Sequence, residues 1–264
     1  LTEGGWSPPG SSITPWLRVP ADSVQVGPVF ADDTEGREFA NLVITGDPRR
    51  AASDLIGQAE TAGFAPSASG WCSASDVVWC HGSRRITSPS GATAEIVTFG
   101  IGYSPTGEGS LPVSSIRIDL SRVETDVELG TGLEAGEAVP AQRSDVAAWR
   151  WPRLARAGEV VVGAELLRTP TLRVPDGAWQ VAPLGLGPCG FDDGVLVLQV
   201  DGSPAPVAVD LVEQIFHTDV QAEQFRGQHG RYAGVAYNGG SVSVETVHRP
   251  GEPGWVRVEG CPQD

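Results

Sequence analysis

One segment of this chain occurs twice. Residues Leu42 to Gln58 align without a gap on Leu198 to Gln214, at an offset of 156, with seven of seventeen positions identical. The identical pairs are Leu42/Leu198, Gly46/Gly202, Pro48/Pro204, Ala52/Ala208, Asp54/Asp210, Leu55/Leu211 and Gln58/Gln214. Each copy reads as a short apolar strand, a turn and a helix. In the first, Asn41 to Thr45 is the strand and Gly46 permits the turn. Asp47 is a natural N-cap, and Pro48 takes the first helical position, where its missing N–H costs nothing. Apolar residues then recur at Ala52, Leu55, Ile56, Ala59 and Ala62 with helical spacing, and Gly63 suits the C-terminal cap. In the second copy Gly202, Ser203 and Pro204 take the same parts, before Ala208, Leu211, Val212 and Ile215. Asp and Ser are interchangeable caps, so the change at that position keeps the mechanism.

The similarity resumes downstream. Tyr103 to Gly109 aligns with His248 to Gly254, each turn-rich stretch preceding a strand: Ile116-Arg-Ile-Asp119 and Val256-Arg-Val-Glu259. Both strands alternate apolar and charged residues, which predicts one packed face and one face in solvent. Ala94 to Gly102 and Ser241 to Val247 complete the hairpins. The fold class expected is therefore α+β: internally duplicated βαββ units with antiparallel sheets, few helices and a strand-rich connector. The expected divisions are an extended N-terminal tether (1–28), a first unit (29–123), the connector (124–188) and a second unit (189–264). Within the connector, Ser144 to Trp151 reads as one or two helical turns, and Glu159 to Leu167 and Thr171 to Val174 as strands. It is too apolar for a passive linker, so the units are expected to pack together with pseudo-two-fold symmetry.

Composition narrows the partners. The net charge of −15 repels phosphate backbones and anionic lipid, which argues against nucleic acid. No apolar run approaches the roughly 18 residues of a membrane span. Thirty-four Gly and twenty-one Pro favour short strands and many turns. The absence of both Lys and Met points to a high-GC bacterial genome. A start at Leu1, followed by a Gly/Pro/Ser-rich stretch, reads as the tether left after removal of a signal or lipoprotein leader.

The four cysteines, Cys72, Cys80, Cys189 and Cys261, include no Cys-x-x-Cys pair. Four cysteines allow three pairings. The locally natural one joins Cys72 to Cys80 across a short loop and leaves Cys189 with Cys261. Such bridges stabilise by about 2–5 kcal/mol, more for the longer loop. They imply an oxidising compartment. Free thiols in a cytosolic protein are the alternative.

Candidate sites are few. His217, Asp219, Glu223 and His229 form one polar stretch with metal-ligand residue types, but their spacing matches no established pattern. Trp71 and Trp79 flank the first cysteine pair, either as a binding platform or as a shield for the bridge. No Gly-x-Ser-x-Gly elbow or phosphate-binding loop occurs, and no cofactor is implied. In architecture alone, duplicated units of this sort resemble the small sandwich modules of bacterial envelope lipoproteins. The expected function is an exported or surface-tethered, non-enzymatic binding or scaffold module, extracellular or lipid-anchored through its N-terminal segment. Its expected partner is an envelope protein or a glycan. The alternatives are a hydrolase or metal-dependent enzyme using His217 to His229, and an acidic inhibitor or immunity-like protein.

Overall fold

A computed structural model describes residues 5–32, 37–65, 72–73, 78–88, 91–102, 114–123, 153–167, 169–181, 194–236 and 239–261. The expected helical turns at Ser144 to Trp151 lie outside them. The elements run β1 (Trp6–Ser7), β2 (Ser23–Asp32), β3 (Arg37–Ile44), α1 (Pro48–Thr61), β4 (Cys72–Ser73), β5 (Val78–Ser88), β6 (Gly91–Gly102) and β7 (Ser114–Val123). They continue with β8 (Ala178–Gln180), β9 (Gly194–Val200), α2 (Ala205–Phe216), β10 (His229–Val235), β11 (Ser241–Val247) and β12 (Gly254–Cys261).

All strand pairs are antiparallel, in two sheets ordered β1-β2-β3-β7-β6-β5-β4 and β10-β11-β12-β9-β8. The run β2-β3-β7-β6-β5 in the first sheet has the same connectivity as β8-β9-β12-β11-β10 in the second. Among the described residues each sheet carries one α-helix, α1 following β3 and α2 following β9. The α+β expectation of antiparallel sheets with few helices thus agrees with the structure, but more strands flank each helix than a βαββ pattern holds: β1 and β2 as well as β3 precede α1, and β8 as well as β9 precedes α2.

The helices form for the reasons their sequences supply. Asp47 accepts a hydrogen bond from the Arg49 N–H at 3.0 Å and Pro48 opens α1. Ala62 is its C-cap, and Gly63 follows in the left-handed region at φ +90°, where a Cβ would be strained. In α2 the helical backbone begins one residue later than in α1, with Pro204 at the cap. The first intrahelical bond there runs from the Ala208 N–H to the Pro204 carbonyl.

Three apolar clusters hold the layers. In the first, Ala51, Ala52, Leu55, Ile56 and Ala59 of α1 pack on Leu42 and Ile44 of β3, Ile116 and Ile118 of β7, and Val97 and Phe99 of β6. In the second, Ala208, Leu211, Val212 and Ile215 of α2 pack on Leu196, Leu198, Val242, Val244, Val256 and Val258. The third lies between the sheets, where Val26, Phe30, Phe39 and Val43 meet Val195, Val197, Val247 and Trp255. The order of layers is helix, sheet, sheet, helix. Strand β2 contacts β9, β10 and β11, so it runs across the second sheet rather than along one of its strands.

Two expectations are corrected here. Residues 5–28 are not an extended tether. Ile13, Leu17 and Val19 are buried under α1, β1 pairs with β2, and the Trp6 indole N–H donates to the Val181 carbonyl of the second half. Gly5 lies so close to Trp255 that a Cβ would approach its ring to 2.7 Å. Glycine and proline in this stretch serve tight turns against a core, a use that composition alone does not separate from a linker. The two connector strands are also replaced: Val160 and Arg173 form an isolated bridge, and Ala164–Leu167 is a 3-10 turn. Val161, Leu172 and Val174 are spent in the core against α2 instead of in a ladder.

These two corrected segments match each other. Leu17-Arg-Val-Pro20 recurs as Leu172-Arg-Val-Pro175, and Gln25-Val26 as Gln180-Val181, at a constant offset of 155. The Arg18 N–H donates to Gln58 Oε1 at 2.8 Å, and Gln58 Nε2 returns a bond to the Arg18 carbonyl at 3.3 Å. Arg173 and Gln214 repeat this pair of bonds at 2.8 and 3.2 Å. The Arg18 and Arg173 guanidiniums reach the Gly10 and Gly158 carbonyls respectively. No helix among the described residues is long and apolar enough to cross a membrane.

Candidate functional site

Among the described residues, a group of buried charges lies between the sheets and is built by the alternation of β12. Val256 and Val258 point toward α2, so Trp255, Arg257 and Glu259 point toward the first sheet. Arg257 is completely buried. Its guanidinium donates to Glu245 Oε2 at 2.8 Å and to Glu259 Oε2 at 2.5 Å. Glu245 is its direct cross-strand neighbour on β11, and Arg231 is the neighbour of Glu245 on β10, 3.6 Å away. Positive and negative charges therefore alternate across three strands. Burial works against the charged Arg257, but Glu259 and Glu245 outweigh it and hold its pKa above the ordinary arginine value.

The facing sheet completes the group. The Phe39 ring is 5.4 Å from the Arg257 guanidinium and 5.1 Å from that of Arg37. Arg37 in turn meets Asp119 at 3.4 Å. The Phe39 ring thus stands between two charged groups of balanced formal charge, the Arg37–Asp119 pair of the first sheet and the Arg231–Glu245–Arg257–Glu259 chain of the second. Such a group orients two sheets and pairs its charges, although the buried Arg257 Nε makes no hydrogen bond. This corrects the solvent-facing expectation for the charged residues of β7 and β12: Asp119, Arg257 and Glu259 are buried. Alternation shows that a strand has two faces. It does not show that a second sheet covers the polar one.

A second polar device sits on the helix side of the first sheet. Arg84 pairs with Glu95 at 2.5 Å, donates to the Ala62 carbonyl at the end of α1 at 2.8 Å, and lies over Phe64 and Trp16. It fastens the helix terminus to the sheet.

The sequence-derived metal cluster is not assembled. Among the described residues no three His, Cys, Asp or Glu side chains come together in a metal-binding group. His217 is the left-handed C-cap of α2 at φ 52°, and Asp219 is exposed in the following loop. Glu223 pairs with Arg226 at 2.8 Å, while His229 begins β10 opposite Val247. Helix termination and the start of a strand pull these residues apart.

No family model, curated protein or solved structure matches this chain. The site must be read from its own chemistry.

Of the cysteine and tryptophan candidates, Trp71 and Cys189 lie outside the described residues. Trp79 is in β5, opposite Gly100 of β6 and Ser73 of β4. Cys72 stands directly opposite Cys80 in the β4–β5 register, Cys80 is completely buried, and no described cysteine is free. Directly opposed antiparallel residues have Cα atoms about 4.5–5.5 Å apart, within the span of a disulfide. Cys261 ends β12 opposite Ser241.

Sequence reasoning missed the inter-sheet charge group. A signal was available, because Arg257 and Glu259 share one face of a strand whose other face is wholly aliphatic.

Proposed function

We propose that this protein is an exported or surface-tethered, non-enzymatic binding module built from a duplicated ββαβββ unit. Support for the duplication comes from two repeats aligned independently, at offsets of 156 for Leu42/Leu198 and 140 for Ile116/Val256. The register pairs Leu42 with Ile116 and Leu198 with Val256, so both alignments lead to the same cross-strand contact. Gln25 opposite Leu42 and Gln180 opposite Leu198 add a third agreement, from the Leu17/Leu172 repeat.

The observation that carries the export reading is the Cys72–Cys80 opposition together with the lack of any free cysteine among the described residues. Paired cysteines persist in oxidising compartments. We assign the bridges as Cys72–Cys80 and Cys189–Cys261. A binding role fits a molecule whose largest charged groups are spent on holding its own layers together. The partner is an envelope protein or glycan. The net charge of −15 favours a basic surface, as it would in an acidic inhibitor.

The test is intact mass without reductant on protein recovered from fractionated producing cells. Loss of four hydrogens, with the protein outside the cytoplasmic membrane, is the expected result. Four free thiols in the cytoplasmic fraction would overturn the export reading.

A further inference from the structure

The ends of the two sheets differ in what they offer a partner. Among the described residues, strands β1, β4 and β8, at three of the four sheet ends, have two, two and three residues. The fourth end is β10, with seven residues in continuous register with β11. The hydrogen-bond parity of that strand follows from its two flanks. The Ala236 N–H donates to the Gly240 carbonyl, and the His248 N–H donates to the Gln228 carbonyl. Even-numbered residues therefore bond to β11. The odd ones, including Ala233 and Val235, turn their N–H and C=O groups away from it. Arg231, Ala233 and Val235 are exposed, and Val235, at 62%, is the more exposed of the two large apolar residues at the described surface. Edge strands of this length are usually guarded by Pro, charged side chains or a bulge. β10 has no Pro and no bulge, and its one arginine, Arg231, is paired with Glu245 of the neighbouring strand, leaving the Ala233–Val235 end without a charge.

We infer that β10 receives an extended segment of a basic partner protein, which adds to the second sheet as its sixth strand. This rests on the binding-module reading and names the surface and the partner. Outward backbone groups supply the hydrogen bonds, while Ala233 and Val235 take apolar side chains from alternate positions of the incoming strand. The sign of the partner follows from charge complementarity. A chain at −15 attracts a basic segment and repels a second copy of itself.

The probe is a peptide of about eight residues alternating Val and Lys, compared with one alternating Val and Glu, by fluorescence anisotropy. The Val/Lys peptide is expected to bind and to weaken with salt, and the Val/Glu peptide to fail. Ala233→Pro removes an outward N–H and no bond to β11, so the fold survives while affinity falls by about tenfold or more. Val235→Arg is expected to act in the same direction, and Ser53→Arg on the exposed face of α1 to change nothing. Equal binding by A233P, equal binding of the acidic peptide, or no binding of the basic one overturns the inference. So does a dimer in sedimentation that A233P dissolves, which would make the occupant a second copy. If the peptide fails while the protein is exported with both disulfides formed, the edge assignment falls and the binding-module reading stands.

Discussion

Replacing Arg257 with Met tests the buried charge group most sharply. The guanidinium is fully inaccessible, and its partners Glu245 and Glu259 are exposed by only 10% and 9% at the side chain. Removing it deprives both carboxylates of their 2.8 and 2.5 Å bonds while leaving them buried. Breaking a buried pair this way costs about 3–5 kcal/mol, because two buried carboxylates lose the counter-charge that is buried with them. That is a large part of the roughly 5–15 kcal/mol that holds a typical protein folded. At about 2–4 °C per kcal/mol for a chain of this size, the melting temperature should fall by about 6–20 °C. The triple variant Arg257→Met, Glu245→Leu, Glu259→Leu removes the charges together and should recover most of the loss. Urea unfolding followed by tryptophan fluorescence is the assay, since Trp255 is buried beside the group. A single variant within about 1 kcal/mol of the parent would refute the reasoning. So would a triple variant no better than the single.

Three further outcomes follow from the geometry. Gln58→Ala and Gln214→Ala each remove two bonds to a backbone arginine, so each should cost about 1–2 kcal/mol in chemical unfolding, and the double variant should show the sum. Gly5→Ala puts a Cβ within 2.7 Å of Trp255 at a φ of +77°, and should release β1, read as faster amide exchange at Gly27. The Arg156 N–H and the Arg153 guanidinium hold the Glu159 carboxyl below its ordinary pKa. Its stabilising contribution is therefore present above the unfolded pKa and lost as pH falls through the lower folded value. An NMR titration should show the depressed midpoint, and Arg153→Ala should move it up.

Much of the fold was legible because the repeat carried its own checks. A cap at Asp47, a proline at Pro48 and an apolar stripe through Leu55 and Ala59 describe one helix, and the copy at Ala208 to Ile215 describes another. Hairpins at Ala94 to Asp119 and Ser241 to Glu259 were legible from alternation. The segments before the two repeated strands were not legible in the same way. Leu17-Arg-Val-Pro20 lies in a Gly/Pro/Ser-rich stretch and Leu172-Arg-Val-Pro175 in an apolar connector, and four residues in such different surroundings carry no period that marks them as equivalent. The four metal candidates failed for a geometric reason: proximity in sequence around His217 spans a helix end, a loop and a strand start. The charge group escaped because the facing of two sheets is a long-range fact that no local period encodes.

The binding claim is tested most directly in intact producing cells by a photo-crosslinking residue at position 233, with position 53 as the control. The expected result is a discrete adduct at 233 with a basic envelope protein, abolished by Val235→Arg, and none at 53. No adduct at either position, or an adduct confined to cytoplasmic proteins, would contradict it.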